Sequence, residues 1–135
     1  METIKIAYLG NLRTHATHLA SGSTVITDAP LDNKGKGEAF SPTDLLCSSL
    51  GSCMLTLMGI AGNTHQINFE GVSLSITKIM SNSPRKVAEI IVEVRMTDSS
   101  YSEKEKKILE LAALTCPVYL SLHPDVKKTV SFIYP

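Results

Sequence analysis

The chain predicts an α+β fold, and three features point to it. Strand-like segments come in consecutive runs, in the order β-β-β-α-β-β-α-α-β, and do not alternate strictly with helices. One stretch, residues 45–61, is apolar or small on nearly every side and reads as a helix at the centre of the structure. No low-complexity tract or long linker interrupts the 135 residues, a length that supports one domain with its own core. We therefore expect a single domain spanning 1–135.

The elements follow in order. "TIKIAY" alternates, with Ile4, Ile6 and Tyr8 on one face of a strand. Gly10-Asn11 reads as a hairpin turn. "LRTHATHLA" after it is rich in threonine and histidine and fits neither period cleanly. "STVITDAP" is a third short strand, ended by Pro30, and residues 31–40 form a glycine-containing charged loop. A helix then begins: Ser41 is a good N-cap, Pro42 suits the first helical position, and Asp44 completes a capping box. Gly62-Asn63 is its expected end.

In the second half, "GVSLSITKIM" places Val72, Leu74 and Ile76 on one face. "KVAEIIVEVRM" should send Ala88, Ile90, Val92, Val94 and Met96 inward and Glu89, Glu93 and Arg95 outward. "SNSPRK" connects the two. Ser102 and Glu105 form a second capping box, ahead of an expected core stripe of Ile108, Leu111, Ala112 and Thr115. Pro117 opens a further short helix that stops near His123-Pro124, and "KKTVSFIY" is the last strand. A chain this small does not cover a wholly apolar helix by itself, so we expect a homodimer.

Thirteen basic and thirteen acidic residues cancel, which gives nucleic acid or an anionic membrane nothing to attract. The N-terminus lacks the pattern of a secretory signal. The longest nearly apolar run, "LGSCMLTLMGIAG", spans 13 residues, short of the roughly 20 a bilayer needs. The expectation is a soluble cytoplasmic protein that uses no membrane and no nucleic acid. Three cysteines, an odd count, argue against a disulfide framework there, so any bridge is expected to be transient and catalytic.

Cys116 sits at an N-cap position before Pro117, where unpaired N–H groups favour a thiolate. Cys53, inside the apolar helix, has no such local help and needs a cation nearby. On local sequence Cys116 is thus the more acidic thiol. Both cysteines also fit a plainer role as small core hydrophobes. Cys47, six residues before Cys53, points about 120° away on a helix and reads as a core thiol. His15 and His18 have an odd spacing that puts them on opposite faces of a strand, and no C-x-x-C or H-x-x-x-H occurs, so no metal site is expected. "NKGKGEA" lacks the strand-to-helix setting of a nucleotide loop, and no cofactor is expected.

"FSPTDLLCSSLGSCMLTLMG" resembles the first cysteine segment of the OsmC/Ohr superfamily, the osmotically inducible protein C and organic hydroperoxide resistance proteins. "LTCPVYLSL" resembles its second cysteine motif, and "GNLRTHATHLASG" and "TDAPLDNKGKGEAFSP" resemble its N-terminal pattern, so nearly the whole chain is covered. The resemblance implies an OsmC-like α+β fold, antiparallel sheets around buried central helices, and an intertwined homodimer with active sites at its interface. It also implies thiol-dependent reduction of organic hydroperoxides. Cys53 would be the peroxidatic cysteine, Cys116 the resolving one, and Arg13 the cation for thiolate and peroxide. An external dithiol would reduce the disulfide. In the hydroperoxidase branches a glutamate after the proline pairs with that arginine. Here Thr43 stands in its place, which leaves Asp44, Glu38 and Thr43 as candidates for the arginine's partner. Phe40, Met54, Leu57 and Met58 could furnish an apolar substrate pocket. Two alternatives remain: a non-enzymatic member that binds a small apolar ligand at the dimer interface, and a redox-sensing stress protein.

Overall fold

The computed structural model describes every residue from Met1 to Pro135. Its segments follow the order read from the sequence, with one added turn of 3-10 helix. The chain divides into two compact units, Met1–Leu46 and Cys47–Pro135.

The first unit holds a three-stranded antiparallel sheet, β1 (Ile4–Gly10), β2 (Arg13–His18) and β3 (Thr24–Asp28), in that spatial order. The stretch that fitted no period is β2, where threonines suit the pleated surface. The expected hairpin turn is present: Gly10, Asn11 and Leu12 take φ of 86°, 54° and 63°, and the ladder shifts register between Tyr8 and Gly10. The β1 residues Ile4, Ile6 and Tyr8 are 54%, 67% and 67% exposed, so their shared face is uncovered within this chain.

Beyond β3 the loop folds back on itself around a short turn at Leu31–Asn33. Asn33 and Gly35 donate backbone N–H groups to Pro30 O, and Gly37 donates to Ala29 O. A Cβ on Gly35 would lie 1.7 Å from Ala29 O, so only glycine fits there.

Helix α1 (Pro42–His65) starts in the first unit and supplies the first element of the second. Its capping box forms as expected. Asp44 N donates to Ser41 Oγ at 3.0 Å, and Ser41 N donates to Asp44 Oδ2 at 3.0 Å. The helix does not stop at Gly62-Asn63; it continues to His65, and Gln66 takes the left-handed position at φ 57°. Gly62 serves close packing instead, because a Cβ there would sit 3.0 Å from Ile67 O.

The second unit wraps a mixed sheet, β4 (Ser73–Ser81), β5 (Lys86–Arg95) and β6 (Lys127–Ile133). β4 and β5 are antiparallel, but β6 runs parallel to β5, which departs from the all-antiparallel expectation. The connection from β5 to β6 contains two helices, α2 (Glu103–Leu114) and α3 (Pro117–Ser121). A crossover of that size carries the chain back to the end where β5 began. Ile90, Val92, Val94 and Met96 are buried as expected, but Val87 takes the inward place given to Ala88. A bulge explains the swap: Ile79 pairs Glu89 while Met80 pairs Val87, and Ala88 is skipped.

α2 is capped on both sides, Glu105 N to Ser102 Oγ at 3.1 Å and Ser102 N to Glu105 Oε1 at 2.8 Å. Its core line is Leu109 and Ala113, one residue out of phase with the expected stripe. Ile108 and Ala112 are only half-buried, Thr115 is exposed, and Leu111 is 64% exposed. The line Leu109, Ala113, Cys116 keeps helical spacing into the buried cysteine, and that sets the phase.

α1 packs one face, Cys47, Leu50, Gly51, Met54, Met58 and Gly62, into this core. At Gly51 the helix backbone lies against β4, since a Cβ would meet Leu74 Cδ1 at 2.8 Å and Ile76 Cδ1 at 2.9 Å. Each fully buried Leu, Ile, Val or Met here contributes about 1.5–3 kcal/mol of transfer free energy. The helix is not buried all round: Leu46 and Ile60 on its other sides are exposed. By length and composition α1 also passes for a membrane-crossing helix, because its serines and threonines interrupt the apolar run only weakly. Its buried face is the core of the second unit.

Candidate functional site

α1 brings Cys53 and the α2–α3 junction brings Cys116, and the two thiols are near enough for Cys53 to act on the ionisation of Cys116. Cys53 is half-buried and Cys116 fully buried; neither is in a disulfide, nor is the buried Cys47 in the core. Cys116 is the N-cap of α3, accepting Tyr119 N–H on its sulfur at 3.4 Å.

That cap does not acidify it. Burial pushes the Cys116 thiol up, the Tyr119 N–H opposes the push, and the neighbouring Cys53 adds to it. The expectation of an acidic Cys116 is therefore overturned. The N–H groups of Tyr119 and Val118, from a five-residue helix, are outweighed by loss of solvent.

The first unit carries a second cluster. Arg13 on β2 lies directly across the ladder from Asp28 on β3. Its Nε donates to Asp28 Oδ1 at 2.7 Å and its Nη2 to Asp28 Oδ2 at 2.8 Å, a bidentate pair. Nη2 also reaches Glu38 Oε1 at 3.4 Å, while the Glu38 N–H donates to Asp28 Oδ2 at 3.0 Å. Asp28 is 2% exposed, and its carboxyl is held below the usual range, first by the Arg13 hydrogen bond and then by the Glu38 N–H, against the effect of burial. Asp28 in turn holds the Arg13 guanidinium more firmly charged.

Of the three partners expected for Arg13, Glu38 contributes the longer contact. Asp44 is engaged with the Ser41 N–H, and the Thr43 hydroxyl lies 3.2 Å from Ser41 Oγ. Asp28, the shortest contact, was missed. Its sequence signal was a carboxylate closing a short strand, but strand register decides whom it faces, and local sequence does not reveal register.

Met54 and Met58 are completely buried and serve as packing residues, Leu57 lies half-buried against the same core, and Phe40 is 54% exposed in the first unit. His18 Nδ1 and Ser21 Oγ are 2.6 Å apart, and His123 Nδ1 accepts the Asp125 N–H at 3.0 Å.

Residues 35–131 match the model of a family described as OsmC-like protein. The chain belongs to the OsmC-like family. Among solved structures, this OsmC-like chain is 47% identical to a protein from Psychrobacter arcticus 273-4 assigned to the osmotic stress and detoxification response. That match covers 98% of this chain and 96% of that one, at a TM-score of 0.94. An OsmC-like protein from Mycoplasma pneumoniae shares the fold at 19% identity, with coverage of 97% and 94% and a TM-score of 0.80. So does an organic hydroperoxide resistance protein OsmC from Legionella pneumophila, at 17% identity, coverage of 98% and 97% and a TM-score of 0.75. No curated protein matched the chain. The OsmC-like match takes in Glu38, Cys53 and Cys116, while Arg13 and Asp28 precede it.

Proposed function

We propose that this protein is a thiol-dependent peroxidase that reduces organic hydroperoxides through a Cys53 sulfenic acid and a Cys53–Cys116 disulfide. The observation that carries the reading is that Cys53 and Cys116, remote along the chain, lie near enough for one thiol to act on the other. Family membership supports it, as does the Psychrobacter relative assigned to a detoxification response.

The Cys53 thiolate attacks the O–O bond of ROOH, takes up one oxygen as sulfenic acid, and an alcohol leaves after protonation. Cys116 then attacks the Cys53 sulfur; its proton leaves with the hydroxyl as water, and the disulfide forms. An external dithiol restores both thiols by exchange. The upward push on Cys116 suits this order, because a protonated resolving thiol does not itself consume peroxide. Arg13 takes the role of cation for the Cys53 thiolate within an assembled homodimer. The uncovered Ile4, Ile6 and Tyr8 face supports that assembly. The proposed chemistry needs no metal or bound cofactor, and a transient disulfide of this kind suits a cytoplasmic setting.

The test is turnover of t-butyl hydroperoxide with a dithiol. The wild type should turn over, Cys53→Ser should not, and one equivalent of peroxide should remove two hydrogens by mass between Cys53 and Cys116. Equal turnover in Cys53→Ser, or three persistent thiols, would defeat the assignment; persistent thiols would favour a ligand-binding protein.

A further inference from the structure

Arg13 stands between two carboxylates that hold it differently. Asp28 is buried, sits across the β2–β3 ladder, and takes the Nε–Nη2 edge with two short hydrogen bonds. Glu38 is 61% exposed, lies on the loop, and contributes one contact at 3.4 Å to a nitrogen Asp28 already holds. Nη1 makes no hydrogen bond to the protein. A guanidinium gripped along one edge cannot swing, so its remaining N–H groups point in one fixed direction.

We propose that Asp28 is the positioning residue for Arg13: its buried carboxylate locks the guanidinium and commits the Nη1 edge to an electron-rich partner, a thiolate or a peroxide oxygen, while Glu38 is the weaker outer contact. The inference rests on the reading of Arg13 as the cation for Cys53. Asp28 acts through Arg13 and touches no reacting atom. The same carboxylate accepts the Glu38 N–H, so it also ties the returning loop to the sheet. Preorganisation of this kind matters because a cation displaced by about 1 Å can cost on the order of a hundredfold in rate.

Two measurements on the full-length protein test the idea. The first is the Arg13 Nε–H resonance and its exchange with water. It should be slow in the wild type and in Glu38→Gln, and fast in Asp28→Asn. An unchanged Nε–H in Asp28→Asn overturns the lock outright. The second is the pH profile of Cys53 alkylation, followed by mass, together with kcat/KM for t-butyl hydroperoxide. Asp28→Asn should move the profile to higher pH and lower kcat/KM on the order of tenfold or more, Asp28→Glu should recover part of the loss, and Glu38→Gln should lose less than Asp28→Asn. The charged groups bearing on this cluster are Asp28, Glu38 and Lys36. Arg13→Lys separates the two ideas. If it leaves the profile unmoved, the role given to Arg13 fails and this inference fails with it. If Arg13→Lys moves the profile and Asp28→Asn does not, Asp28 is only structural and the inference alone falls. Asp28→Glu, which keeps the charge, guards against a folding defect in Asp28→Asn.

Discussion

A buried carboxylate and a buried thiol make opposite demands on pH. Asp28 is depressed by Arg13, so its stabilisation is complete above the ordinary carboxylate pKa of about 3.9 and is lost as pH falls through its lower folded value. Urea midpoints measured from pH 6 down to pH 2 should fall more steeply in the wild type than in Asp28→Asn. Cys116 is raised, so its contribution is complete below the ordinary thiol pKa of about 8.5 and is lost as pH climbs through the folded value. Cys116→Ser should therefore flatten the alkaline side of the same curve. The raised Tyr101 and Tyr134 phenols extend that alkaline loss to still higher pH. At this scale the sequence was partly legible. Both cysteines and Arg13 stand out by motif, but Asp28 did not, because only the β2–β3 register makes it the arginine's neighbour.

At the scale of elements, the glycines of α1 discriminate between two kinds of neighbour. Gly51→Ala would press on the movable ends of Leu74 and Ile76, while alanine returns about 1 kcal/mol of helix propensity; the change should be close to neutral. Gly62→Ala would press on the Ile67 carbonyl, which is backbone and cannot turn aside, so it should destabilise by about 1–3 kcal/mol. Chemical denaturation of the pair would show the ranking, and the reverse order would contradict the packing described. Leu109→Ala should cost about 2–5 kcal/mol, since the side chain is fully buried. Caps were the most legible feature, because Ser41–Asp44 and Ser102–Glu105 each lie within one turn. The phase of α2 was not, since Ile108 and Leu109 are equally apolar and only the position of Cys116 tells which one faces inward.

Across the whole molecule, the order of elements was readable because each one is announced by its own period and its own breaker. The direction of β6 was not, since it depends on where a two-helix crossover returns the chain. Uncovered apolar surface makes the remaining prediction. Light scattering at micromolar concentration should give the mass of two chains, and Ile6→Asp with Tyr8→Asp should shift it toward one. A monomeric wild type would remove the homodimer from the proposal.

Because Cys116 caps α3 through its sulfur, a covalent partner on that sulfur would re-aim the acceptor offered to the Tyr119 amide. Tyr119 also lies under the ammonium of Lys128, 5.1 Å from the ring centroid, so a loosened turn would be felt on β6 as well. If the proposed disulfide forms, the Tyr119 backbone proton should shift with it, so that one amide would gauge how far Cys116 has been oxidised.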